Sequence, residues 1–219
     1  MKKRITLFAG HYGSGKTNIA VNYAIKLHEM SLPVVIADLD IVNPYFRTKD
    51  SEQELKERGI ELLCSDFAGS NLDIPSLPQS MYRAVQDKSS YAVMDIGGDD
   101  VGAVALGRFA PFIKEENDYE MIFVANFFRP LTRTAEDALV IMREVEAASH
   151  LEFTAIANNS NLGEDTTAED LLSTVSEIEM LSKLSSLPVI MTTAKEELCN
   201  SLEGKIDNLF PLKLQSKII

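Results

Sequence analysis

Short, nearly continuous apolar runs alternate with helix-patterned segments along the chain, and this alternation constrains the fold more than any other feature. ITLFA (5–9), PVVIADLD from near Val34, GIELLC, YAVMDIGG, MIFVAN (121–126), FTAIANN and PVIMTT read as strands. Between them, Lys16 to about Met30, SEQELKER (51–58), a segment around 78–88, TAEDALVIMREVEAA (134–148) and TAEDLLSTVSEIEMLSKL (167–184) read as helices, with AKEELCNSLEGKI as a terminal one. Ser51 and Glu54 stand at capping-box spacing. Strands that are apolar along their whole length are buried on both faces, so the expected architecture is α/β, a mainly parallel sheet with helices on both faces. No linker, repeat or low-complexity tract interrupts the 219 residues, which predicts a single domain over 1–219.

Charge narrows the function classes. Twenty-one basic residues stand against 33 acidic ones, a formal net charge of -12. That balance argues against a broad nucleic-acid surface, which needs clustered Lys and Arg. Cys64 and Cys199 form no CxxC pair, and His11, His28 and His150 are widely separated, so neither a disulfide framework nor a zinc site is expected. The basic start MKKR leads through a short apolar run straight into a glycine-rich loop, without a signal-peptide cleavage pattern. No run approaches the ~20 apolar residues of a membrane span, so the expectation is a cytoplasmic protein.

The loop GHYGSGKTN (10–18) carries the clearest chemistry. Gly10, Gly15, Lys16 and Thr17 satisfy G-x-x-x-x-G-K-[ST] between a predicted strand and a predicted helix. Backbone N–H groups of Gly13, Ser14, Gly15 and Asn18, with the positive end of the helix, suit phosphate oxygens. Lys16 should reach the β- and γ-phosphates and Thr17 should ligate Mg²⁺. The fold expected is therefore a three-layer P-loop NTPase. A magnesium–triphosphate site also needs carboxylates, and three end apolar strands: Asp38 and Asp40 in ADLDIVNPYFR, and Asp95 in the D-x-x-G run Asp95-Ile96-Gly97-Gly98. Asp95 is placed to hold the Mg²⁺ shell and Gly98 to sense a γ-phosphate. Strand C-terminal ends form the ligand crevice of such sheets, so all three carboxylates are expected to converge near the loop.

GHYGSGKT, DLDIVNP and DIGGDD together resemble the P-loop ATPases of the MinD/ParA/CobQ-CobB/nitrogenase-iron-protein group, in order and spacing over most of the chain. The resemblance implies ATP and Mg²⁺ as ligands, an ATP-closed homodimer, and hydrolysis that reopens it. It casts Asp40 as the switch residue positioning water, Asp38 as support for Mg²⁺ or switch geometry, Asp95 as the Walker B-like Asp, and Asp99 as an acidic group assisting water activation, with helix capping as the structural alternative for Asp99. It also places Asn158 against the purine. Three departures stand out. His11 occupies the position where many members carry a lysine that reaches the partner's nucleotide, and its role there is open between function and a solvent-facing residue. Tyr12 replaces a glycine. No cysteine follows DIGGDDVGA, so no iron–sulfur cluster is expected.

The run Asn158-Asn159-Ser160-Asn161 lacks the aspartate of a guanine-reading N-K-x-D motif, which favours ATP over GTP. PLKLQSKII is too weakly amphipathic to indicate membrane targeting. The leading expectation is an Mg²⁺-dependent ATPase working as a nucleotide switch for an unidentified protein partner. The alternative is a small-molecule kinase or ATP-dependent ligase gripping an acidic substrate with Arg47 or Arg129. A DNA-partitioning ATPase fits the acidic balance least.

Overall fold

The computed structural model describes residues 2–40, 48–64 and 78–214. Strand β1 (Ile5–Ala9) runs through the glycine loop into α1 (Lys16–Glu29), and β2 (Val34–Leu39) follows. A 3₁₀ turn (Thr48–Ser51) leads into α2 (Glu52–Glu57) and β3 (Glu61–Leu63). Then come α3 (Arg83–Gln86), β4 (Tyr91–Ile96), α4 (Asp100–Gly107), α5 (Ala110–Glu116) and β5 (Tyr119–Ala125). The last part holds α6 (Ala135–Ser149), β6 (Ala155–Asn158), α7 (Ala168–Ser173), α8 (Val175–Ser185), β7 (Val189–Lys195), α9 (Glu196–Leu202) and β8 (Leu209–Leu212).

The eight strands form one sheet in the order β3-β2-β4-β1-β5-β6-β7-β8, and every ladder is parallel. Helices cover both faces, so the three-layer α/β P-loop architecture expected from the alternation is the one present. Strand periodicity of two divides the core. Phe8, Ile36, Val93 and Val124 pack with Ile19 and Ala24 of α1. Leu7, Ala37, Met94 and Phe123 face the opposite layer, with Leu106 of α4, Ala138 of α6 and Leu181 of α8. Chain order reverses at β1: β4 and β2 lie on one side of it, β5 to β8 on the other. A crevice opens at such a reversal, beyond the strand C-termini.

Several elements differ from expectation. Ser51 precedes α2 but makes no side-chain cap, because it closes the 3₁₀ turn at φ -97, ψ 9 rather than in the extended conformation a capping residue needs. The helix expected around 78–88 is a 3₁₀ turn, Gln79–Tyr82, followed by the single turn of α3. The long helix over 167–184 breaks at Thr174, whose hydroxyl donates to the Leu171 carbonyl (2.8 Å) and accepts from buried Asn158 (3.0 Å). A genuine capping box forms instead at Thr167 and Asp170. Helix α5 and strand β8 were not expected, and α4 was expected only as the helix of the capping alternative for Asp99.

Candidate nucleotide-binding site

The parity that sends Ile36 and Val93 towards α1 sends Asp38 and Asp95 the same way, and the two residues sit side by side in register on β2 and β4. Both are buried, and α1 begins with Lys16 and Thr17. The sheet thus brings two carboxylates, an ammonium and a hydroxyl to one place. Asp95 accepts from the Thr48 hydroxyl through Oδ2 (3.0 Å), while its buried Oδ1 has no hydrogen-bond partner. Burial pushes the Asp95 pKa up to about 6, against the pull of Thr17 and Thr48 hydrogen bonds and the Lys16 charge; Asp40 adds to the rise. Burial likewise lowers the Lys16 pKa, opposed by Asp95, Asp40 and Asp99.

The glycine loop is shaped to receive a ligand. Gly10 lies against the β5 backbone at Val124. Gly15 has φ +85, and a Cβ there would sit 2.3 Å from Asn159 Nδ2, so only glycine fits. Gly98 makes the other close approach: a Cβ on it would be 2.6 Å from the Tyr12 amide nitrogen and 2.7 Å from Lys16 Nζ. The D-x-x-G segment therefore touches both the loop and the ammonium expected to hold the phosphates. In this structure Lys16 Nζ donates to the His11 carbonyl (3.1 Å). The His11 ring lies with Nδ1 3.0 Å from the Tyr12 carbonyl, and Tyr12 itself is exposed. Ser14 is buried and its hydroxyl has no partner.

A cavity of ≈ 870 Å³ opens on this loop. Gly13, Gly15, Lys16, Thr17, Asn18 and Asp40 line its phosphate end; Leu162, Gly163, Glu164, Thr193 and Lys195 line the part beyond the β6 and β7 tips. The donor set fits Mg²⁺: hard oxygen ligands, one of them a buried carboxylate oxygen with no partner. Among the described residues no three His, Cys, Asp or Glu side chains converge into a metal cluster by themselves. Asp38 and Asp95 nonetheless sit in register, and Asp40 lies close enough to act on both Lys16 and Asp95. Asp40, one step beyond the strand, has its amide bonded to Asp38 Oδ1 (3.0 Å). One or two carboxylates completed by substrate phosphates is the usual magnesium arrangement.

Two other expectations change. Asn158 does not face the cavity: β6 turns it to the layer that holds Ile156, away from α1. There its amide donates to Thr174 and its carbonyl oxygen accepts from Ser160 N (3.1 Å) and Oγ (2.7 Å). Asn159 is the one that reaches the phosphate loop. Its amide donates to the Ser14 carbonyl (2.6 Å) and its oxygen accepts from Thr193, tying the phosphate loop to β7. The doubled Asn was the available signal, and strand parity chooses between its members. Asp99 caps α4 by accepting from Gly102 N (2.8 Å), the structural alternative named for it. Arg47, Asn43 and Pro44 lie outside the described residues, whereas Arg129 lines the cavity against the phosphate loop.

Fold and site together define a P-loop nucleoside-triphosphatase fold. No family model and no curated relative matches the sequence. Solved structures do. The signal recognition particle receptor FtsY from Elizabethkingia anophelis superposes with TM-score 0.59 at 19% identity, over 87% of this chain and 58% of that one. The cell division protein FtsY from Thermotoga maritima gives 0.62 at 14%, over 88% and 62%. The 54 kDa signal recognition particle protein from Aeropyrum pernix K1, in complex with GDP, gives 0.55 at 13%, over 86% and 41%. This chain thus spans about three-fifths of the FtsY chains it resembles. These structures represent a different branch of the fold from the MinD/ParA group that the motifs resemble, and at such identities they speak to the fold alone.

Proposed function

We propose that the chain is an Mg²⁺-dependent ATPase acting as a nucleotide switch for a protein partner, with ATP-linked pairing of two copies. The observation that carries this reading is the registered Asp38–Asp95 pair beside Lys16 and Thr17, with Gly98 packed on the same ammonium. Backbone amides from Gly10 to Asn18 cradle the phosphates. Thr17, Asp38 and Asp95 hold the Mg²⁺, which neutralises phosphate charge when bound. Asp40, on the cavity wall, orients the attacking water. Asp99 fixes the start of α4, so the switch segment and its helix move as one piece.

The assignment to ATP rests on the missing guanine reader. Guanine offers two adjacent N–H donors that a carboxylate accepts. The acidic side chain on that wall, Glu164, is 79% exposed and turned towards Lys195 (3.9 Å). Pairing is supported by apolar side chains exposed around the phosphate end: Tyr12 on the loop, Val101 and Val104 on α4, and Leu131 after Arg129.

Asp40→Ala tests the reading. Turnover is expected to fall at least about a hundredfold with the dissociation constant for Mg-ATP changed less than about threefold. Unchanged turnover removes Asp40 from its role.

A further inference from the structure

We propose that Arg129 is a catalytic cation that reaches the terminal phosphates from its own chain; this rests on the nucleotide reading above. The loop after β5 is built to hold it. Buried Asn126 accepts from the amides of Phe128 (3.1 Å) and Asn161 (3.4 Å), and its carbonyl accepts from Arg129 N (3.2 Å) and Thr132 Oγ1 (2.7 Å). Phe127 is buried in the core, with its amide on Ser160 Oγ (3.0 Å). Arg129 therefore leaves a backbone fixed on both sides.

Its side chain lies across the phosphate loop. It rests in ordinary contact range of Gly13: a Cβ on that glycine would be 3.5 Å from Arg129 Nε and 3.7 Å from Cζ. Arg129 lines the same cavity as Lys16, Thr17 and Asp40. Its Nε–H is buried without a hydrogen-bond partner. A buried donor left unmade costs about 1–3 kcal/mol, so a loop ordered around one points to an acceptor that arrives from outside. At a phosphate loop, that acceptor is a phosphate oxygen, which the guanidinium fork matches in geometry and permanent charge.

During hydrolysis the water oxygen bonds to Pγ while the bond from Pγ to the β–γ bridging oxygen breaks. The electron pair stays with ADP, and the water proton passes by way of Asp40 to the released phosphate. Negative charge grows on the bridging and terminal oxygens, and a fixed cation there stabilises the transition state more than the ground state. His11 carries no such permanent charge.

Arg129→Ala and Arg129→Lys test this against wild type, with affinities for Mg-ADP and for Mg-ADP plus aluminium fluoride, and single-turnover rates. Arg129→Ala is expected to leave Mg-ADP affinity within about threefold, to weaken aluminium fluoride capture at least about thirtyfold, and to slow turnover at least about a hundredfold. Arg129→Lys should recover about a tenth of the lost rate. Equal aluminium fluoride affinity and rate in Arg129→Ala would reduce Arg129 to a packing residue and overturn the proposal. If that variant does not fold, the wild-type Arg129 Nε–H resonance decides: a shift on adding Mg-ADP and aluminium fluoride supports it, and an unmoved signal overturns it. Wild type that binds no nucleotide would sink the nucleotide reading itself, and this proposal with it.

Discussion

Asp95 shows what the site costs the empty protein. An ordinary aspartate titrates near 4, and burial holds this one up to about 6. Between those values the folded state keeps a proton that the unfolded state has released. Stability therefore falls as pH rises from about 4 through 6 and is flat beyond. Asp95→Asn should stabilise the nucleotide-free, metal-free protein by up to about 2 kcal/mol at pH 7.5, and by much less at pH 4.5. Urea melts at the two pH values check this. An equal difference at both would mean that the carboxyl is not strained by burial. At the same scale, Asn158 and Asn159 show where sequence reading stops. Identity alone ranks two adjacent asparagines equally. Which one faces the loop depends on the strand's parity relative to α1, and that is known only once the layers are assembled.

At the scale of elements, one side chain fastens three of them. Arg4, just before β1, donates to the carbonyls of Ala84 (3.2 Å) and Val85 (3.3 Å) in α3 and to Asp87 and Ser90 (both 3.1 Å) before β4. It also forms a two-pronged pair with Glu116 at the end of α5, one contact being 2.6 Å. Both side chains are nearly buried. Arg4→Ala would strand the Glu116 carboxylate and several carbonyls, an expected loss of about 3–5 kcal/mol seen in denaturant midpoints. A loss below about 1 kcal/mol would show the stitch to be idle. The elements that escaped the sequence share a cause. Between its charged ends, VGAVALGRFAPFI is apolar apart from Arg108 and carries glycines and a proline, so no helical period emerges over α4 and α5. Strand β8, LFPL, contains Pro211, which is tolerated because β8 pairs with β7 alone at the sheet edge. The central strands, by contrast, are legible because burial on both faces leaves them mostly apolar, with carboxylates gathered near the C-terminal tips of β2 and β4.

At the scale of the whole molecule, the parallel order makes the site a property of the sheet rather than of any loop. Asp38 and Asp95 become neighbours only because β2 and β4 pair across 57 residues of sequence. Tyr12 on the phosphate loop, Val101 and Val104 on α4, and Leu131 after β5 are exposed apolar side chains. With Mg and a slowly hydrolysed ATP analogue, the mass in solution should rise from 24.2 kDa to twice that, and stay there with neither ADP nor buffer alone. Unchanged mass in all three conditions would leave a monomeric switch.

Calorimetric titration with Mg-ATP, Mg-GTP and metal-free ATP tests for a magnesium–nucleoside triphosphate site on the Gly10–Asn18 loop. One Mg-ATP is expected per chain, with weaker binding of Mg-GTP and of ATP without metal, and affinity at least about a hundredfold lower in Lys16→Ala. Binding of equal strength in wild type and Lys16→Ala, or no binding in wild type, would contradict that assignment.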